Sequence, residues 1–183
     1  MITRPESPVY LRAIDEGDLE PVHRWHNDPA LYASLVGTSV ATSLAIERAW
    51  LQRVSAWSEQ ARNFALCAHE DDRLIGLCYL RDIDWTHRRT ELHILIGDER
   101  DRGRGFGRAA VELLLDHAFD SLGLARVYLH VLAGNAAARR LYAACGFLEE
   151  GRLRGHAFKN GRWEDVLVMG VLRDERTPAQ GPA

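Results

Sequence analysis

Residues 91–147, ELHILIGDERDRGRGFGRAAVELLLDHAFDSLGLARVYLHVLAGNAAARRLYAACGF, change hydrophobic period more than once, and this stretch decides the fold. Its start completes the alternating run RRTELHILIG, 88 to 97, which predicts a strand. After the glycine-rich DRGRGFGR, residues Val111, Leu114, Leu115, Ala118 and Leu122 share one helical stripe, and Gly123 supplies its stop. The next strand is ARVYLHVL, 125 to 132, and a crossover through the preceding helix lays it parallel to 88–97. Asn135 then caps a helix carrying Ala138, Leu141, Tyr142 and Cys145 on one face, closed by Gly146.

Outward from this unit, residues 8 to 14 read as a strand, and Asp15 with Asp18 resembles a capping box for a helix bearing Leu19, Val22 and Trp25 that ends by Pro29. Ile46, Trp50, Val54 and Trp57 predict a second amphipathic helix from Ser43 to about Arg62. Strands at 63 to 69 and 73 to 81 form a hairpin around EDD, and strands near 147 to 153 and 164 to 172 close the domain. Residues 1–173 read as one domain and 174–183 as a disordered tail.

The chain has 183 residues and a net charge of -3, so no basic field points to nucleic acid. Lys159 is the only lysine among the 23 basic residues, which leaves phosphate binding to arginine forks. Cys67, Cys78 and Cys145 show neither C-x-x-C spacing nor an even count, so a reducing cytoplasm is expected. No apolar run is long enough for a membrane span or signal peptide, so no membrane association is expected. His23 and His26 could share a helix face, but no third ligand joins them, so no metal is expected.

The segment Arg102, Gly103, Arg104, Gly105, Phe106, Gly107 sits where a strand hands over to a helix, and there free N–H groups and the helix dipole favour an anion. Alone, it reads equally as an ordinary glycine-rich connection. A P-loop fails because the only lysine is distant. A dinucleotide fingerprint fails because Arg108 stands where the third glycine belongs and no acidic residue follows at the ribose position.

Arg102, Gly105 and Gly107 do match the coenzyme A loop [RQ]-x-x-G-x-[GA] of the GNAT acetyltransferases. Asn135, Ala138, Leu141, Tyr142, Gly146 and Phe147 match that superfamily's N-x-x-A-x-x-L-Y-x-x-x-G-F downstream. The chain resembles this superfamily over most of its length, and its NGRWED ending is most similar to the branch of ribosomal-protein N-terminal and polyamine acetyltransferases. The resemblance implies an α/β (α+β) GNAT fold: a mixed, largely antiparallel central sheet with a splayed parallel strand pair and helices on both faces. It implies that the pantetheine arm of acetyl-CoA lies in the splay against the backbone of Ile94, Leu95 and Ile96, with the pyrophosphate on the amides of residues 103 to 108, Arg108 included. Asn135 would contact the pantetheine side, though a plain helix cap satisfies the sequence equally.

The implied activity is acetyl transfer to a primary amine in a ternary complex, with a non-catalytic acyl-CoA sensor as the alternative. Glu91 is the first candidate base and shares a strand face with His93, so either could take the proton, directly or through water; otherwise Glu91 is an exposed or salt-bridged glutamate. An N–H near Leu95 could polarise the carbonyl. By the resemblance Tyr142 is the acid toward the departing sulfur, against a simple packing role. Cys145 reads as a packing residue, not an acyl carrier. The acceptor is open among protein N-termini, polyamines and other small amines, with Trp25, His26, Tyr32, Trp50, Arg154 and Trp163 as expected walls. A homodimer is compatible with the class.

Overall fold

The computed structural model describes residues 1–38 and 41–176. Seven strands form one sheet in the order β1-β2-β3-β4-β5-β7-β6: β1 Val9–Arg12, β2 Arg62–Ala68, β3 Leu74–Asp84, β4 Arg89–Ile96, β5 Arg126–Leu132, β6 Leu148–Lys159 and β7 Arg162–Leu172. Every neighbouring pair is antiparallel except β4 and β5. Helices α1 Leu19–His26, α2 Pro29–Tyr32 and α3 Leu44–Ser55 precede β2, while α4 Phe106–Asp116 and α5 Ala136–Ala144 flank β5 in sequence.

The alternation of strand side chains divides the core between the two faces. On one face, Val111, Leu114 and Leu115 of α4 and Tyr142 of α5 pack with Leu80, Leu92 and Leu129 of the sheet. On the other, Val22 and Trp25 of α1 and Leu51 and Val54 of α3 pack on Ala65, Leu77, Tyr79 and Leu95. The mixed sheet with helices on both faces therefore stands as expected.

Local signals placed several elements well. Asp15 and Asp18 form a reciprocal capping box, but on a 3-10 turn, Glu16–Asp18, that leads into α1. The helix stripe of α4 continues through a π-helical turn, His117–Ser121, to Gly123 at φ 65°. Helix α1 ends at His26, before Pro29 as expected, and Asp28 then caps a separate short helix with Pro29 in its first turn, a position where proline's missing N–H costs nothing. Two expectations need correction. Helix α3 stops at Ser55, and its buried face is Glu47, Leu51 and Val54, whereas Ile46 and Trp57 are exposed. The last two strands are longer than expected and join at Asn160 and Gly161, whose φ of 49° and 79° suit a tight hairpin turn.

At the end of the chain, residues Arg173–Glu175 make a 3-10 turn and Arg176 pairs with Asp116 at 2.6 Å, so the expected tail does not begin at 174; residues 177–183 lie outside the described residues.

One close approach fixes the chain just beyond the end of β4. A Cβ on Gly97 would lie 1.9 Å from Cε2 of Trp25, which is itself buried and donates from Nε1 to Asp98 at 3.0 Å. Gly97→Ala is therefore expected to destabilise the protein by about 1–3 kcal/mol, the usual scale of overpacking. A urea midpoint equal to that of the unsubstituted protein would show that Trp25 has another seat.

Candidate active site

The parallel pairing of β4 with β5 lasts only three positions: Arg89 with Arg126, Thr90 with Val127, and Glu91 with Tyr128. Beyond Glu91, β4 stays in register with β3 as far as Ile96, and β5 stays with β7 as far as Leu132, so the two strands part. The result is a cleft of about 700 Å³ running from His93 and His130 past Ile94, Leu95 and Ile96 to the start of α4.

Backbone direction along β4 follows from two bonds. Arg88 O accepts from Ala125 N on the β5 side at 2.7 Å, and Gly97 N donates to Ile75 O on the β3 side at 3.0 Å. Alternation then turns the polar groups of Leu92, Ile94 and Ile96 toward the cleft and those of His93 and Leu95 toward β3. Among the amides near Leu95, the one turned toward the cleft is that of Ile94.

The loop at the far end is braced from outside. Asp101, 1% exposed, accepts from Arg73 at 2.7 and 3.0 Å, and Arg102 Nη2 donates to Gly97 O at 2.8 Å. Gly103 and Gly105 have φ of 74° and 85°, and a Cβ on either would meet nothing within 4 Å, so open space faces their backbone. Helix α4 has no side-chain cap and no acidic residue in its first turn, which leaves its N–H groups free for an anion. Gly107 has a different reason to be glycine: a Cβ there would lie 2.9 Å from Leu141 of α5. Arg102, Gly103, Gly105, Gly107, Arg108 and Asn135 line the cleft. Arg104 and Phe106 do not; the Arg104 guanidinium pairs with Glu70 and lies over the ring of Phe106, which is buried.

Asn135 Oδ1 accepts from Ala138 N at 3.0 Å, and its Nδ2 donates to Ser34 O at 2.9 Å. It therefore caps α5 and ties down the segment after α2. Tyr142 lines the cleft with its ring edge-on to Phe147 at 5.8 Å. Its hydroxyl makes no hydrogen bond among the described residues, and burial above all pushes its pKa up to about 12. Burial likewise pushes the Cys145 thiol up to about 11, a poor state for an acyl-carrying nucleophile.

Glu91 does not line the cleft. Desolvation alone would raise its pKa, but hydrogen bonds from His93 and His130 outweigh it and hold the carboxyl at about 2. His130 Nδ1 lies 2.7 Å from Glu91 Oε1, and His93 Nε2 lies 3.5 Å from the same oxygen. A carboxylate can only accept, so Nδ1 of His130 carries a proton, and in the neutral imidazole Nε2 is the acceptor. His130 is the residue that sequence reasoning missed. Its pairing with Glu91 spans 39 positions and depends on the register of the parallel strands.

Of the expected acceptor walls, His26 and Tyr32 line the cleft. Trp25 is buried under Gly97, Trp50 stands edge-on to His26 outside the cleft, and Arg154 and Trp163 are exposed on the β6–β7 hairpin. Among the described residues no group of three or more His, Cys, Asp or Glu could hold a metal ion, and no helix is long and apolar enough to cross a membrane.

Residues 9–148 match the family model described as Acetyltransferase (GNAT) domain. The spermidine N(1)-acetyltransferase of Vibrio cholerae is 34% identical over 169 residues, 92% of this chain and 95% of that protein. The putative ribosomal N-acetyltransferase YdaF of Bacillus subtilis is 33% identical over 105 residues, 57% of each chain. A crystal structure of the V. cholerae spermidine N-acetyltransferase in complex with CoA and spermine superposes with a TM-score of 0.84, covering 93% of this chain and 98% of that one.

Proposed function

Because the chain belongs to the GNAT acetyltransferase family and is an amine N-acetyltransferase, we propose that acetyl-CoA is its cosubstrate, with Tyr142 as acid, His130 as base and Glu91 as the group that positions His130. The observation that carries the reading is the short β4–β5 pairing: it leaves the cleft edge of β4 unpaired beyond Glu91 and leads straight to an uncapped helix start. An extended amide-bearing arm can pair with such an edge as a strand would, and a diphosphate fits the open space before Gly103 and Gly105. Acetyl-CoA supplies an activated acetyl thioester; the protein supplies position and protons.

His130 Nε2 takes a proton from the acceptor's ammonium, directly or through one water, so that a neutral amine attacks. Glu91 fixes the imidazole tautomer and stabilises the imidazolium that forms. Tyr142, protonated at any physiological pH, delivers a proton to the departing thiolate. These are direct-transfer roles; no residue needs to carry the acetyl group.

Glu91→Gln tests the base assignment. Removing the carboxylate takes away the charged acceptor that holds Nδ1 of His130, so kcat is expected to fall while KM, CoA affinity and thermal stability hold. Glu91→Asp, which keeps the charge, should recover part of the loss. A merely structural Glu91 would leave kcat unchanged in the folded variant. Thiol release from acetyl-CoA with an amine panel, scored above the hydrolysis blank, tests the activity itself; release no faster than the blank would return the protein to the sensor reading.

A further inference from the structure

We infer that the acceptor face of the cleft is built for a primary amine with a single positive charge on a short apolar or aromatic body, and against a polycation. This rests on the acetyl-transfer reading and refines its acceptor. The sheet register splits the cleft lining in two. Ile94, Ile96, Leu141 and Tyr142 belong to the α4–α5 side, with the cofactor loop. The opposite wall is made by His26, Tyr32, Tyr79, His93, Leu95 and His130, with Leu35 and Val36 closing it from the segment after α2.

Among the described residues that wall contains no aspartate or glutamate. The carboxylates behind it are taken. Glu47, 2% exposed, accepts from His26 at 2.9 Å and from Thr42 at 3.2 Å, and Glu91 holds His130 and His93. Asp101, the one acid lining the cleft among the described residues, lies at the cofactor end and is bound bidentately by Arg73. Two other features that could receive a cation are occupied by cations of the protein. The Lys159 ammonium donates to Tyr32 O at 3.2 Å and to Gly37 O, and the Arg81 guanidinium sits 4.5 Å over the ring of Tyr79.

A first ammonium has a destination here, since His130 can take its proton and let it react neutral. A second or third ammonium on the same substrate would shed water with no counter-charge to meet it. Aliphatic and aromatic side chains can instead hold an uncharged body through buried apolar area.

The discriminating experiment uses amines matched in length: pentylamine against 1,5-diaminopentane, with phenethylamine and spermidine alongside, each followed by thiol release from acetyl-CoA at low and high salt. Pentylamine is expected to exceed the diamine in kcat/KM by about tenfold or more, with phenethylamine above both and KM insensitive to salt. An apolar tripeptide with a free α-amino group, run in parallel, tells a small-molecule acceptor from a chain terminus. In folded, CoA-binding Leu35→Glu, the new carboxylate on the wall should shift the ratio toward the diamine. Equal or better turnover of the diamine or spermidine by the unsubstituted protein overturns the inference while leaving acetyl transfer intact, and an unchanged ratio in Leu35→Glu overturns it as well. Binding of acetyl-CoA with no thiol release from any amine overturns the acetyl-transfer reading itself, and the inference falls with it.

Discussion

Gly105→Asp is expected to remove coenzyme A binding while leaving the protein folded. Gly105 is the N-cap of α4 at φ 85°, and space is open where its side chain would project. A carboxylate there faces the same N–H groups that would receive the pyrophosphate. Two unit charges about 4 Å apart at an effective dielectric near 20 repel by about 4 kcal/mol, roughly a thousandfold in Kd. The cost to folding is smaller, about 1–2 kcal/mol for a left-handed non-glycine residue, and aspartate tolerates that region better than most. Gly105→Ala carries the same backbone strain without the charge, so it should retain much more affinity. Calorimetry decides: a folded Gly105→Asp protein with unchanged CoA affinity would mean that the diphosphate rests elsewhere.

The parts of this site that could be read from the sequence are those fixed by local chemistry. Gly105, the cap at Asn135 and the stripe through Val111, Leu114 and Leu115 each act within a turn or two of their own position, and each lies where its spacing put it. The misread face of α3 shows the limit of periodicity. Ile46 and Trp57 outweigh Glu47 on any hydrophobic scale, yet Glu47 is buried because His26, 21 positions away, and Thr42 satisfy its carboxylate. The long closing hairpin was legible in principle, since Asn160-Gly161 is a strong turn signal. The Glu91–His130 pair was not: which residue of β5 faces Glu91 depends on where the parallel strands stop pairing, and no local pattern records that.

The pair also bears on acid sensitivity. The carboxyl of Glu91 is held at about 2 against an ordinary 4.5, so its contribution to stability is present above about pH 4.5 and is lost as pH falls toward 2. The group that orients the base thus stays ionised throughout the range in which the enzyme would work. Tyr142, on the far side of the cleft, has the opposite bias and stays protonated over the same range. Two groups whose environments push them apart in this way are suited to complementary proton transfers.

Tyr142→Phe should lower turnover by roughly 10² to 10⁴, the usual scale for losing a general acid. The substitution removes one hydroxyl and nothing else that packs: the ring is 9% exposed, sits edge-on to Phe147, and its hydroxyl has no hydrogen-bond partner among the described residues. No buried donor or acceptor is orphaned, so thermal stability and CoA affinity should barely change. Because the proton is needed only as the thiolate departs, kcat and kcat/KM should fall together, which marks an interaction made in the transition state. The size of the loss depends on the leaving group. A thiol of pKa about 8.5 departs tolerably as thiolate, so the defect should shrink as pH rises above that value and protonation ceases to matter. In the unsubstituted enzyme no matching change is expected there, since Tyr142 keeps its proton to about pH 12. If Tyr142→Phe turns over acceptor at the unsubstituted rate at neutral pH, the tyrosine only packs, and the proton comes from water or another group.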